Sequence, residues 1–185
     1  MILIAGLGNP GKEYSLTRHN AGYILIDRLL DNLNIRERKR KFKSKIAFAD
    51  FEGKSVLFMQ PLTFMNESGF AILQARKFYK NEINKILIIH DDIDLDFKII
   101  RFKKNGGSAG HKGLISILNL NANVEFDRLR IGVGRPPGIK AAANYVLKNF
   151  NRQQQEELDS LMQLAIEAVK DYIIFDIEYC MNKYN

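Results

Sequence analysis

The segment KILIIHDD, residues 85–92, is apolar almost without a break and then ends on two acids. A strand with one wet face alternates polar and apolar side chains, because successive residues point to opposite sides. This one does not alternate, so it reads as a strand buried within a sheet. ILIAG, residues 2–6, reads the same way. Between such strands lie stretches with helical spacing. Ala21 to about Leu33 carries Leu25, Ile26, Leu29, Leu30 and Leu33 on one stripe, with Asn20 placed to cap it. Further helices are expected at about 66–79, 110–120 and 139–147, the last following Pro136-Pro137. A long helix starts after Asn151, and Leu158, Leu161, Met162, Ala165, Val169 and Tyr172 form its core face. KIIRFKK (98–104) and RLRIGVG (128–134) read as two more strands. Alternating strands and helices predict an α/β domain. Strands at about 46–52 and 55–60, joined at Glu52-Gly53-Lys54, form a hairpin, so the sheet is mixed rather than all parallel. No repeat, linker or low-complexity tract interrupts the 185 residues, which are expected to form a single domain over 1–185.

Two glycine motifs invite nucleotide and nucleophile readings, and both lack their context. GLGNPG fits G-x-G-x-x-G at Gly6, Gly8 and Gly11. A dinucleotide site needs a helix that starts at those glycines and points its N-terminus at the pyrophosphate. Here Pro10 sits inside the motif, KEYSLTRHN shows no apolar stripe, and the helix begins only at Ala21. The glycines therefore launch a long polar loop. GGSAG, residues 106–110, fits the G-x-S-x-G elbow, but no histidine follows His111 to complete a triad in the required order. A mobile glycine-rich loop that closes over a substrate is the better reading.

The remaining chemistry gathers at strand ends. The three histidines are His19, His90 and His111. KILIIHDD delivers His90, Asp91 and Asp92 at its C-terminal end, the edge where α/β sheets bind ligands. The polar loop carrying His19 leaves the corresponding end of the first strand. With the two strands parallel, His19 meets one of the two acids, which fixes the imidazole tautomer and makes the other nitrogen a base. A metal centre from His90, Asp91, Asp92 and Asp94 is the competing arrangement. Consecutive strand residues point to opposite faces, which makes such a cage awkward.

The formal net charge is +7 and the pI about 9.4, a balance that suits an anionic partner such as nucleic acid. RERKRKFKSK, residues 36–45, holds seven basic residues against Glu37, and it reads as either a solvated face or an RNA contact. No run of about 18 apolar residues is present to cross a membrane. Met1-Ile2-Leu3-Ile4 lacks the charge and length of a signal peptide. Cys180 is the single cysteine, an incidental thiol that fits a reducing, cytoplasmic setting.

Five stretches in order, GLGNPGKEYSLTRHNAG, PLTFMNESG, IIHDDIDL, GGSAGHKGL and FDRLRIGVGRP, resemble the bacterial-type peptidyl-tRNA hydrolases over essentially the whole chain. The resemblance implies a three-layer α/β sandwich whose mixed, twisted sheet is flanked by helices. It implies a cytoplasmic, monomeric esterase that needs no cofactor and no metal. Its substrate would be peptidyl-tRNA, cut at the ester between the peptide and the 3′ ribose so that tRNA is recycled. His19 matches the family's catalytic histidine and Asp91 its supporting acid. Asn9 matches the asparagine that tells a peptidyl amide from a free amine. Tyr14, Phe64 and Asn66 match contacts to the tRNA end, and Asn66 is also a candidate oxyanion donor. Lys112 stands where the family commonly has asparagine, and lysine donates but cannot accept a hydrogen bond. Arg101, Lys103, Lys104 and Lys112, with Arg130 and Arg135, are expected to hold acceptor-stem phosphates. The rival from another class is a non-catalytic RNA-binding module, which would leave His19 and Asp91 idle; a narrower possibility within the resemblance is that of chloroplast relatives that act in RNA splicing rather than hydrolysis.

Overall fold

A computed structural model of the chain describes residues 1–120, 124–135 and 142–185. Along the chain run β1 (Ile2–Gly6), α1 (Ala21–Asn32), β2 (Lys39–Lys41), β3 (Ser44–Phe51), β4 (Lys54–Pro61) and α2 (Ser68–Phe78). Then follow β5 (Lys85–Asp92), β6 (Ile100–Lys104), α3 (Lys112–Leu120), β7 (Asp127–Gly132), α4 (Ala142–Val146), α5 (Arg152–Ile174) and α6 (Ile177–Tyr184). One sheet takes the order β2-β3-β4-β1-β5-β7-β6. Its centre, β4-β1-β5-β7, is parallel; β3 pairs antiparallel with β4 and β2 antiparallel with β3 on one side, and β6 pairs antiparallel with β7 on the other.

The apolar central strands explain the layering. On β1, Ile2 and Ile4 join the core shared with α1, α5 and α6, while Leu3 and Ala5 join the core under α2 and α3. Val56 and Phe58 against Leu57 and Met59 divide the same way on β4, as do Leu87 and Ile89 against Ile86 and Ile88 on β5. Each strand thus feeds two cores, and each fully buried aliphatic side chain contributes about 1.5–3 kcal/mol. The expected three-layer sandwich with a mixed sheet is the architecture found. Close approach of α1 to the strand ends explains two of the early glycines. A Cβ on Gly6 would lie 2.3 Å from the Gly22 carbonyl oxygen, and one on Gly22 would lie 2.5 Å from the Ile89 carbonyl oxygen.

Four details differ from the sequence reading. Residues 39–41 form an edge strand, although Lys-Arg-Lys has no apolar alternation to announce it. Its two-residue turn to β3 holds Phe42 and Lys43 at φ 54° and 48°, and Lys41 lies 3.6 Å from the ring centre of Phe78 on α2. Asn20 does not cap α1; its side chain bonds to Asn9 instead. The helix expected at 66–79 begins as a 3-10 turn, Met65–Glu67, before α2. The long C-terminal helix breaks at Phe175, and Asp176 caps α6 by accepting from the Tyr179 amide. Of the helix expected at 139–147, residues 139–141 lie outside the described residues, as do Pro136-Pro137. At the far edge, the Asn185 side chain accepts from the Phe102 amide and donates to its carbonyl, covering the outer side of β6.

Candidate active site

The carboxyl ends of the parallel strands open into a cleft of about 890 Å³. β1 ends at Gly6 and sends a polar loop across this edge. Within it, the 3-10 turn Arg18–Asn20 buries His19. β5 ends in His90, Asp91 and Asp92, and Asp91 is 2% exposed. The His19 Nδ1 lies 2.8 Å from Asp91 Oδ1. A carboxylate can only accept, so Nδ1 carries a proton, and in the neutral ring it is Nε2 that has the lone pair.

Sequence reasoning did not foresee a second imidazole on the same oxygen. His111 Nε2 stands 3.0 Å from Asp91 Oδ1. Its tautomer is fixed at the other nitrogen, where Nδ1 accepts from the Leu114 amide at 3.3 Å in the first turn of α3. Two N–H groups therefore converge on one carboxylate oxygen. Burial alone would raise the Asp91 pKa. The neighbouring His19 and His111 outweigh it and hold the carboxyl well below its usual range. The His19 and His111 rings are 4.9 Å apart, as are those of His90 and His111. His90 donates from Nδ1 to the Asp91 carbonyl at 2.7 Å, and burial, reinforced by His111, pushes its pKa down to about 3.

Asn9 forms the cleft floor beside His19. Its Oδ1 accepts from the Met65 amide at 2.8 Å, which leaves its NH2 group as what it can offer a ligand. Asn20 clamps the Asn9 backbone from both sides, accepting from its N–H at 2.8 Å and donating to its carbonyl at 2.9 Å. Such a clamp explains why Asn20 is unavailable as a helix cap. Tyr14, Phe64, Asn66 and Lys112 also line the cleft; Phe64 is 55% exposed, and Lys112 is the first residue of α3.

The expected phosphate contacts separate. Lys103, Arg130 and Arg135 line the cleft. Arg130 is tied to Asp92 at 2.7 Å, and Arg135 pairs with Asp94. Lys104 does not join them. It points to the opposite face of β6 and pairs with Glu178 of α6 at 2.7 Å. Arg101 is exposed on β6 but does not line the cleft among the described residues. The metal arrangement from His90, Asp91, Asp92 and Asp94 is likewise dispersed, since Arg130 and Arg135 each take an acid. The ligand-type atoms that do converge, within 4.8 Å of one another, belong to His19, Asp91 and His111. They are engaged in the two N–H···O bonds already described. In the glycine loop, the buried Arg128 donates to the carbonyls of Gly106 and Gly107, and Ser108 Oγ accepts from Gly110 within its own turn. Among the described residues, no helix is long and apolar enough to cross a membrane.

A buried carboxylate that orients an imidazole beside an open cleft is equipped to activate water, whereas the other two acids of the cleft, Asp92 and Asp94, are paired with Arg130 and Arg135. Comparison with known proteins agrees with an enzyme of this kind. A family model described as peptidyl-tRNA hydrolase matches residues 3–185. The chain is 43% identical over 185 residues to the peptidyl-tRNA hydrolase of Thermoanaerobacter sp. (strain X514), with 100% of both chains covered. It is 46% identical over 189 residues to that of Mycoplasma mycoides subsp. mycoides SC, again with 100% of both covered. A crystal structure of a mutant peptidyl-tRNA hydrolase from Acinetobacter baumannii superposes with a TM-score of 0.92 at 35% identity, covering 100% of this chain and 94% of that one.

Proposed function

The chain belongs to the peptidyl-tRNA hydrolase family, and on that footing we propose how it hydrolyses peptidyl-tRNA. The bond cut is the ester between a peptide, or an N-blocked aminoacyl group, and the 3′ ribose of tRNA. Water attacks the carbonyl carbon while His19 Nε2 takes its proton. Asp91 steadies the imidazolium that forms, and the proton is then returned to the departing ribose oxygen. The products are a peptide with a free carboxyl group and tRNA with a free ribose hydroxyl. An ester is reactive enough for this chemistry to need neither a covalent intermediate nor a metal.

The observation that carries the reading is the 2.8 Å bond from His19 to the buried Asp91 at the wall of the cleft. The remaining assignments rest on the match to the family's motifs and on the lining of the cleft. The Asn9 amide reads the peptide, Tyr14, Phe64, Asn66 and Lys112 hold the tRNA end, and the Asn66 amide stabilises the oxyanion. Lys103, Arg130 and Arg135 take the acceptor-stem phosphates, with Arg101 at the rim. The enzyme works as a monomer in the cytoplasm, as one domain over residues 1–185. Cleavage of N-acetyl-aminoacyl-tRNA tests the whole reading. The wild type should release tRNA at an undiminished rate in EDTA. His19→Ala should be slower by at least about 10²-fold while still binding tRNA. Activity of His19→Ala within a few fold of wild type would overturn the base assignment; loss of activity in EDTA that zinc restores would overturn metal independence.

A further inference from the structure

Arg18, the residue before His19, has an unusual burial for its charge. It is 5% exposed, and no carboxylate pairs with it among the described residues. Removing an unpaired guanidinium from water is costly, and an apolar side chain would fill the same space at less cost. What offsets the cost is a fork of bonds that only arginine can make. Nη1 donates to the carbonyls of Tyr145 at 3.3 Å and Lys148 at 3.2 Å, and Nη2 donates to Gln154 Oε1 at 2.8 Å. The guanidinium also sits 4.0 Å from the ring centre of Tyr145. All of these partners lie in one segment, from α4 to the first turn of α5.

That segment cannot hold itself. α4 is five residues long, far below the length at which a helix is stable alone. Yet Ala143 and Val146 of α4, and Leu147 beyond it, form an apolar wall of the cleft. Backbone bonds tie the far end of this segment to residues 16–18, from the Arg18 amide to the Lys148 carbonyl and from the Phe150 amide to the Leu16 carbonyl, both at 3.1 Å, and two side chains fix the wall itself. One is the Tyr145 hydroxyl, which donates to the Val133 carbonyl at 2.8 Å. The other is Arg18, which grips the segment from the same 3-10 turn that carries His19. We propose that Arg18 is the strut that sets α4 at a fixed distance from His19, and so acts as a positioning residue for the substrate. The substrate part of this inference rests on the functional reading above; the strut itself does not.

Hydrogen exchange and steady-state kinetics on the full chain test it, with Arg18→Met and the milder Arg18→Lys. Amides in 142–150 should exchange faster in Arg18→Met, with Arg18→Lys between it and wild type, while α2 and α6 keep their protection. With N-acetyl-aminoacyl-tRNA, Arg18→Met should raise KM about tenfold, as expected for losing charge-assisted hydrogen bonds, and leave kcat within about threefold. The acid limb of the pH–rate profile should not move, because His19 and Asp91 are untouched. A merely structural role would instead lower the folded fraction, reducing kcat at constant KM, and would raise exchange across the whole chain; either result overturns the proposal. So does unchanged exchange in 142–150. If Arg18→Met does not fold, Arg18→Lys carries the same comparison. A wild type that fails to cleave the ester would sink the functional reading, and the exchange pattern would still decide whether Arg18 holds α4.

Discussion

Two imidazoles share one oxygen of Asp91, and that makes the neighbouring acids unequal. In Asp91→Asn the side-chain oxygen could still accept from both rings, but it would no longer balance the charge of an imidazolium. Turnover should fall by ~10²-fold or more. Asp92 holds Arg130 rather than a histidine, so Asp92→Asn should cost only a few fold, mostly in KM. Equal losses in kcat would mean that the two carboxylates act jointly. His90 makes a different prediction, about stability. Its folded pKa is pushed down to about 3, whereas an unfolded histidine titrates near 6.5. Between those values the unfolded chain binds a proton that the folded one does not. Stability therefore falls as pH drops through that window and is unaffected by this group above it. His90→Asn, whose amide can still donate to the Asp91 carbonyl, should flatten the dependence of the unfolding free energy, read from urea titrations, on pH from about 6.5 downward, by up to about 1.4 kcal/mol per pH unit. Parallel curves for the two proteins would exclude His90 as the source. At this scale the His19–Asp91 pair was legible, because both residues sit at the ends of readable strands. His111 was not. Its approach to Asp91 depends on where the β6–β7 antiparallel pair sets the start of α3, and nothing local in GGSAGHKGL records that.

Among the elements, β6 has the clearest functional consequence. Its pleat sends Phe102 and Lys104 toward α6 and Lys103 toward the cleft. The two lysines, adjacent in sequence, should therefore behave oppositely. Lys103→Gln should raise KM and flatten the slope of log affinity for tRNA against log salt by up to about one unit, the effect of one lost phosphate contact. Lys104→Gln should change neither. Equal effects would mean that the tRNA path reaches the α6 face. The pleat that separates these residues was readable, but which face the cleft occupies was not. The strongly apolar elements were the ones the sequence announced: β1, β5, α1 and α5 owe their identity to burial, and burial leaves a pattern. β2 leaves none, since its Lys-Arg-Lys is held by pairing to β3 and by the ring of Phe78. The break at Phe175 also leaves no apolar signal, because the helices on both sides bury residues against the same core.

Across the whole molecule, the two-core sandwich was readable from the unbroken apolar strands, and the hairpin at Glu52-Gly53-Lys54 made the sheet mixed. The order of strands was not readable, because it is set by crossovers whose packing involves residues far apart in the chain. The positive charge is also spread less usefully than its total suggests. Arg38 is bound to acids of α1, Lys104 to α6, and Arg130 and Arg135 to acids at the cleft, so these four cations are already partly neutralised before a polyanion arrives. The last consequence comes from the contact between Asn185 and β6. An open sheet has two edges, and each offers a row of amides and carbonyls on which another polypeptide could lay a strand. At one edge the Asn185 amide already occupies both the N–H and the C=O of Phe102, in the way a neighbouring strand would. At the other, any incoming strand must bring its backbone against Lys39, Arg40 and Lys41. One edge is blocked by a single side chain and the other by charge, which guards a highly apolar sheet against templating its own aggregation.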